Sequence, residues 1–320
     1  MFGSKGQVYA TQQNGGKHKM QNTNAHVSNF QPRVSVILPT YNRAEIIKKC
    51  IDSVLLQSYD NWELIICDDC STDDTENVCR QYSAKMPNIR YIKSSVRNGL
   101  PKNRNIGLKR AKGKLIFFIE DDLALERECL EVLVTTYDGL KANESVGGIA
   151  PRLIERCGEV YPGKEPFIFN KLTGEVTNNY MVCSEHISEV VTLHACSMYP
   201  KTLLEVVGGY EEEAYIGNFL REETDLNFRI KKLGYKFYFQ PNAVAQHNRI
   251  ESGGCRTGTL VYREIYSFRN HLVFLLRIFG VKSIYMIPSY IISYSLQFLR
   301  YIIRSVIIAL KHRLNKNSNI

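Results

Sequence analysis

The chain has 320 residues, 44% of them hydrophobic and 23% charged, with a formal charge of +9. This length predicts a folded core of about 200–250 residues plus an appendage, and the composition excludes a chain that is disordered throughout. Residues 249–320 hold eleven Lys and Arg against two acids, which accounts for the whole excess of +9. The remaining chain carries 30 basic and 30 acidic residues, so we expect no basic nucleic-acid-binding face there.

The leader and the cysteines indicate a chain that folds in a reducing compartment. Residues 1–32 are rich in Gln, Asn, Gly and Lys and contain no apolar signal segment, which predicts a disordered leader. Nine cysteines at irregular spacings favour free thiols over a disulfide framework. Cys67 and Cys70 form a CxxC motif, but no second pair completes a zinc site.

Short apolar runs alternate with segments of helical periodicity after the leader. Strands are predicted at residues 34–38, 63–67, 89–92, 115–119 and 146–150, with helices in the intervals. The strands lack period-two polarity, which is typical of a sheet covered by helices on both faces. The alternation therefore predicts a doubly wound α/β domain over residues 33–250 with a largely parallel sheet.

Polar clusters follow three of these strands directly. They are the segment PTYNR at residues 39–43, the pair Asp68–Asp69, and the three acids at residues 120–122. Three adjacent acids are costly in a core unless a cation or ligand hydroxyls compensate them, although Asp also favours turns and helix N-caps. Because ligands bind beyond the carboxyl ends of strands in such sheets, the coincidence of three clusters favours a binding site at this edge.

The second half of the domain is less regular. Residues 151–200 contain short aromatic and β-branched pieces among turn residues, which predicts irregular strands and a mobile loop. The acidic segment REETD at residues 221–225 then precedes an amphipathic helix, and strands are predicted at residues 235–239 and 242–247.

Taken together, these segments resemble the family 2 glycosyltransferases of the GT-A fold. The matching segments are VSVILPTYNR, ELIICDDCSTDDT, NRNIGLKRAKGKLIFFIEDD, VVGGYEEE, REETDL and the later His247. The resemblance covers residues 34–247 and implies a GT-A (Rossmann-like), doubly wound mixed sheet. It also implies a transferase that uses a nucleotide-diphosphate sugar, usually with Mn²⁺ or Mg²⁺ and usually with inversion of the anomeric carbon.

The resemblance implies a nucleotide site built from the first strands. Pro39, Tyr41 and Arg43 match residues that line the nucleotide pocket. Asp68 matches an acid that contacts the base, and Arg104 matches a residue near the nucleotide or its phosphates. Taken alone, Arg104 is equally consistent with a solvated helix residue.

The resemblance also assigns roles to the later acids. Glu120 and Asp122 match the outer positions of the DxD motif, Asp122 and the downstream His247 being the expected metal ligands. Glu120 and the intervening Asp121 are expected to bind the nucleotide sugar. Glu223 matches the catalytic base. Glu stands where the family more often has Asp at both 120 and 223.

Two acidic clusters about a hundred residues apart suit a single in-line displacement. A cation held by one cluster would neutralise the leaving diphosphate, while the other would remove the proton of the attacking hydroxyl. Without the resemblance, Glu223 and its neighbours could equally favour the positive end of the following helix. Sugar transfer to a polyprenyl or dolichyl phosphate, a nucleotidyltransferase and an inactive nucleotide-binding subunit remain alternatives.

Residues 251–320 form a basic, hydrophobic tail that we expect to be helical and membrane-associated. Its uncharged run at residues 284–299 is shorter than the ~20 residues of a membrane span, and Pro288 is expected to interrupt it. Arg300, Arg304 and Lys311 oppose apolar residues on a helical wheel, which predicts a monotopic helix in the membrane interface. A tilted single span and packing on the domain are the alternatives. Basic residues would keep the tail at the cytoplasmic face, near a glycan or lipid-linked acceptor.

Overall fold

A computed structural model describes residues 31–155, 165–248 and 259–317, so nearly all of the predicted leader lies outside the described residues. The chain from Pro32 onward forms one compact unit. Its strands are β1 (Val34–Thr40), β2 (Trp62–Asp68), β3 (Ile89–Lys93), β4 (Leu115–Phe118), β5 (Leu123–Leu125), β6 (Val146–Glu155), β7 (Phe167–Phe169), β8 (Val176–Asn178), β9 (Ser188–Val190), β10 (Ser197–Pro200) and β11 (Lys236–His247).

Helices fill the intervals between the strands and form the tail. They are α1 (Ala44–Leu55), α2 (Thr75–Lys85), α3 (Leu100–Arg110), α4 (Cys129–Leu140), α5 (Lys201–Val206), α6 (Glu222–Lys232), α7 (Leu260–Phe279) and α8 (Ser283–Asn317), with a 3₁₀ turn (Gly280–Lys282) between the last two.

A nine-stranded mixed sheet organises these elements in the order β3-β2-β1-β4-β10-β6-β11-β5, with β9 also paired to β11. The strands β1 to β4 are parallel, whereas β5, β9 and β10 pair antiparallel with their neighbours. Strands β7 and β8 form a separate pair. The mixed α/β sheet predicted from the sequence is confirmed.

The predicted break between residues 239 and 242 is wrong, because β11 runs through it as one strand. Its pairing with β6 shifts register between Gln240 and Val244. The turn residues Pro241 and Asn242 therefore sit in an irregularity inside the strand, as Pro often does. The continuous strand ends at His247, whose register partner on β5 is Leu123.

The core has two layers because the buried strands point alternate residues to opposite faces. Val36 and Leu38 of β1 join a cluster with side chains of α1, α2 and α4. Ile37 joins a second cluster with side chains of α3, α5 and α6. Both faces of the sheet are thus covered, as the unbroken apolar runs predict.

The tail helices fold back on each other. By length and composition, the stretch Val261–Arg300 would suffice to cross a membrane, but the chain reverses at the 3₁₀ turn. Tyr294 in α8 donates a 2.7 Å hydrogen bond to Glu264 in α7. Helix α8 continues through Pro288, so the predicted interruption is wrong. Buried residues Met286 and Tyr290 pack on both sides of the proline and support the helix there.

The hairpin of α7 and α8 also packs on the domain. A third apolar cluster joins it to α6 and to the segment before α6, and its buried members are Tyr215, Phe228, Phe274, Leu275, Ile278, Met286 and Tyr290. Arg300 is exposed, while the side chains of Arg304 and Lys311 lie outside the described residues. Residues 270–290 therefore follow the alternative in which the tail packs on the domain.

Candidate active site

The register of the parallel strands brings the three polar clusters together. Thr40 lies opposite Asp68 across β1 and β2, and Ile37 lies opposite Phe118 across β1 and β4. The acids after β4 therefore reach the level of residues 39–41. They border a pocket of about 110 Å³, whose lining residues are Pro39, Thr40, Tyr41, Arg43, Asp69, Arg97, Gly99, Leu100, Asn103, Glu120, Asp121, Asp122 and Phe219.

Glu120, Asp122 and His247 form the candidate metal centre. One ligand atom from each lies within 4.8 Å of the others. His247 reaches this position because it ends β11, where its register partners are Leu123 on β5 and Glu155 on β6. Its Nε2 lies 3.4 Å from Asp122 Oδ2, and its Nδ1 lies 3.7 Å from Glu155 Oε1.

The charges at this centre fit a divalent cation. Desolvation and the neighbouring Asp122 charge raise the pKa of Glu120, partly opposed by Arg104. Among the described residues, neither ring nitrogen of the buried His247 has a hydrogen-bond partner. Buried polar atoms are normally paired. Two carboxylates and an imidazole suit Mn²⁺, and with added water or phosphate oxygens they suit Mg²⁺.

Asp121 is bound mainly by the protein. Its carboxylate accepts a 2.9 Å hydrogen bond from Thr40 and lies 3.6 Å from Arg43 Nε. Burial raises the pKa of Asp121 to about 7 despite the opposing charge of Arg43. The residue thereby ties the end of β1 to the turn after β4. It also lines the pocket, where its sugar-binding role stays a prediction.

The neighbours Asp68 and Asp69 have different surroundings, and the base contact of Asp68 stays a prediction. Asp68 is fully buried, and its two oxygens accept hydrogen bonds from Ser71 N–H at 2.8 Å and Tyr91 O–H at 2.5 Å. Asp69 is the acid that lines the pocket, and it accepts from the backbone N–H groups of residues 98 and 99. Asp68 therefore shapes the turn beneath the pocket rather than facing it.

Arg104 lies below the pocket surface, and its role near the nucleotide or its phosphates stays a prediction. Its guanidinium is fully buried and bonds to Glu222 of α6, and it lies 3.8 Å from Glu120. Burial lowers the pKa of Arg104, but Glu222, Glu120 and Glu223 outweigh this effect and raise it. Burial raises the pKa of Glu222 to about 8 even beside Arg104. Arg104 thus links α3, α6 and the metal centre.

Among the acids of the first turn of α6, Glu223 is the one suited to proton transfer. Glu222 is occupied by Arg104. Asp225 is fully buried and accepts from Arg229 at 2.6 Å, Tyr215 at 2.9 Å and Arg277 at 3.1 Å. Glu223 is half-buried, and its charge raises the pKa of Glu120. Arg104, which lies 3.8 Å from Glu120 and bonds to Glu222, joins the two acidic clusters of the sequence at one site.

Two pocket residues carried no recognisable signal in the sequence. The Arg97 guanidinium stacks over the Tyr41 ring at 4.0 Å, which encloses one side of the pocket. Phe219 lines the pocket with a left-handed backbone (φ 55°). Neither a lone arginine after β3 nor a phenylalanine in a loop is distinctive in sequence. Asp69, in contrast, could have been found from its pairing with Asp68.

Residues 35–181 match the family model "Glycosyl transferase family 2". The chain is 38% identical over 105 residues to the putative teichuronic acid biosynthesis glycosyltransferase TuaG of Bacillus subtilis, covering 33% of this chain and 42% of that protein. It is 31% identical over 159 residues to the GalNAc(5)-diNAcBac-PP-undecaprenol beta-1,3-glucosyltransferase of Campylobacter jejuni, covering 45% and 50%. The matches thus span half or less of these relatives' length.

Solved structures agree on the fold. Residues 1–349 of TarS from S. aureus, in complex with UDP-GlcNAc, align with a TM-score of 0.57 at 19% identity, covering 77% of this chain and 67% of that one. The mannosyltransferase PcManGT from Pyrobaculum calidifontis, in complex with GDP-Man and Mn²⁺, aligns with a TM-score of 0.55 at 19% identity, covering 78% and 65%. Residues 35–181 therefore form a family 2 glycosyltransferase domain, and the chain has the GT-A fold.

Proposed function

We propose that this glycosyltransferase moves a sugar, with inversion, from a nucleotide-diphosphate donor to a hydroxyl of a glycan or lipid-linked saccharide. The observation that carries the proposal is that the Glu120–Asp122–His247 centre borders the pocket and is joined through Arg104 to the first turn of α6, which holds Glu223. Mn²⁺ or Mg²⁺ held there would neutralise the leaving diphosphate. The relatives that act on undecaprenol-linked sugars support a lipid-linked acceptor.

The protein's own groups have separate tasks in this proposal. Tyr41 and Arg97 enclose the nucleotide, and Asp69 holds the backbone of the loop before α3. Glu223 accepts the proton of the attacking hydroxyl, which raises the nucleophilicity of that oxygen as the new bond forms. The Arg104–Glu222 pair fixes the first turn of α6 next to the metal centre. Tyr210 lies against the guanidinium at 5.0 Å.

Nucleotide-sugar binding gives the direct test of the donor class. Thermal unfolding with Mn²⁺ and a panel of UDP- and GDP-sugars should show one preferred nucleotide. A ligand at a hundred times its Kd raises the free energy of unfolding by about 2.7 kcal/mol. Free UDP, GDP, nucleoside triphosphates and Mn²⁺ alone serve as controls. A panel without any shift would contradict the proposal, and stabilisation by nucleoside triphosphates alone would favour a nucleotidyltransferase.

We further propose that the tail holds the enzyme at the cytoplasmic membrane surface. More than half of the exposed large hydrophobic side chains in the described residues lie at positions 261–307, among them Ile265, Ile292 and Phe298. A groove of about 1070 Å³ with mostly apolar lining runs between α7 and α8. Apolar surface next to a basic segment is the composition of an interfacial helix.

Removing residues 295–320 should shift most of the protein from the membrane pellet to the supernatant. The deletion begins after Tyr294 because Met286 and Tyr290 are buried in the core, whereas residues 295–300 are exposed. It removes five basic residues, each worth about 1 kcal/mol near an anionic surface. Flotation with anionic and neutral vesicles measures the change. Unaltered binding to both kinds of vesicle would show that this segment is not the anchor.

A further inference from the structure

Helix α7 lies outside the residues 35–181 that match the family model. Its side chains nevertheless contact the segment before α6, the helix that carries Glu223. Residues 215–221, here called the pocket loop, connect Tyr215 to the first residue of α6. Phe219 of this loop lines the pocket, and its ring lies so close to Gly99 that a Cβ there would meet it at 2.8 Å. The pocket loop therefore connects the donor pocket to Glu223.

Side chains of α7 bind the backbone of the pocket loop. The Asn270 amide donates to Ile216 O at 2.9 Å and accepts from Ile216 N–H at 3.4 Å. Asn218 donates to Ser267 Oγ at 2.7 Å. Gly217 has a left-handed backbone (φ 72°), and a Cβ there would meet the Tyr266 ring at 2.3 Å. The loop is thus matched to α7 in both hydrogen bonding and shape.

The last residue of the pocket loop makes the most specific contact. Arg221 has a left-handed backbone (φ 81°), which is unfavourable for a non-glycine residue and persists only where the surroundings fix it. Its Nε donates a 3.0 Å hydrogen bond to His271 Nδ1. The other nitrogen of His271 lies 2.8 Å from Thr173 O. The ring therefore carries its proton on Nε2 and accepts with Nδ1.

The surroundings keep His271 in this neutral form. The residue is fully buried, and burial together with the Arg221 charge lowers the pKa of His271 to about 3. A second contact joins α7 to α6 itself, since Arg277 donates a 3.1 Å hydrogen bond to Asp225. In the sequence, Glu222 and Glu223 lie between Arg221 and Asp225, the two residues that α7 binds.

We propose that His271 is a positioning residue of the transfer reaction, which acts through Arg221 to set the direction of the first turn of α6 and of Glu223. This inference rests on the proposed function. It deepens that function by making the first tail helix part of the active site. His271 itself touches neither the pocket lining nor the metal centre among the described residues.

The test compares His271→Phe, which removes both hydrogen bonds, with His271→Gln, whose amide offers one acceptor and one donor. His186→Phe, a change at an exposed histidine, is the matched control. We expect the Phe variant to lose about 10- to 100-fold in kcat, the range that misplacement of a catalytic group causes, with donor affinity retained. The Gln variant should keep most of the kcat, and the control should match the wild type.

A second variant keeps the proposal testable if His271→Phe fails to fold. Arg221→Met removes the same hydrogen bond from the other partner, and combining the two changes should add no further loss if they act through one contact. Equal kcat in His271→Phe and the wild type would overturn the proposal. Equal losses in the Phe and Gln variants would do so as well, because they would indicate packing alone.

Hydrogen exchange separates this inference from the proposed function, because it needs no substrate. Exchange at residues 216–224 should accelerate in His271→Phe but not in His271→Gln or His186→Phe. If the wild type transferred no sugar but exchange followed this pattern, the function would be wrong and the positioning contact right. Unchanged exchange in His271→Phe would overturn the positioning role whatever the activity.

Discussion

Replacing Glu223 by Gln is expected to lower the transfer rate by about 10²- to 10⁴-fold, the usual contribution of a general base. Gln keeps the size of the side chain but cannot accept a proton at neutral pH. Because Glu223 is not among the residues that line the pocket proposed for the nucleotide, donor affinity should not change. Initial rates at saturating donor and acceptor, together with nucleotide titrations, measure the two quantities separately.

Two further variants test whether the loss of rate is specific to the base role of Glu223. Glu223→Asp restores the residue more common in the family and should retain much more activity than Glu223→Gln. Glu222→Gln should act mainly on stability, because that carboxylate is buried against Arg104. Nearly full activity in Glu223→Gln would argue against a base and for a polyprenyl phosphate acceptor, since a phosphate oxygen is already ionised.

Asp122→Asn is expected to weaken Mn²⁺ binding by about 10- to 100-fold or more, since even residues that only support metal ligands have effects of that size. The neutral amide removes one of the two carboxylates of the centre and leaves His247 and Glu120. Transfer should fall at least as far, because the developing charge on the leaving diphosphate would be less compensated. Electron paramagnetic resonance of free Mn²⁺ measures the affinity without any substrate.

Asp121→Asn is the matched control for this experiment. Asp121 is bound by Thr40 and lies near Arg43, so its amide variant should alter thermal stability while Mn²⁺ affinity stays close to the wild type. Excess Mn²⁺ should partly restore the activity of Asp122→Asn. If that variant bound Mn²⁺ as tightly as the wild type, Asp122 would not be a ligand.

The sequence was sufficient to predict the sheet and the edge that carries the site. Apolar runs such as residues 34–38 have few alternatives to a buried strand, and parallel strands necessarily end on one side. The acids after β4 were therefore placed correctly beside Tyr41 and Arg43. The position of His247 depended on the register of β11 with β5 and β6, which no local pattern encodes.

The sequence was least informative where side-chain direction or distant pairing decides the surroundings of a residue. Asp68 and Asp69 are adjacent and chemically identical, and only the hydrogen bonds from Ser71 and Tyr91 show which one points inward. Arg104 pairs with Glu222, 118 residues away. Such a partner leaves no trace in local periodicity. The part that α7 plays beside the site was missed for the same reason, since its residues contact a loop some fifty positions earlier.

The packing of the α7–α8 hairpin on α6 determines where this enzyme could be recombined with its relatives. A chimera joined near residue 250 would inherit the candidate metal centre but would replace Asn270, His271 and Arg277, together with five of the seven buried residues of the third apolar cluster. Its pocket loop would then face a foreign helix. An exchange that preserves these contacts therefore has to transplant the hairpin up to Tyr294 and the α/β domain as one piece.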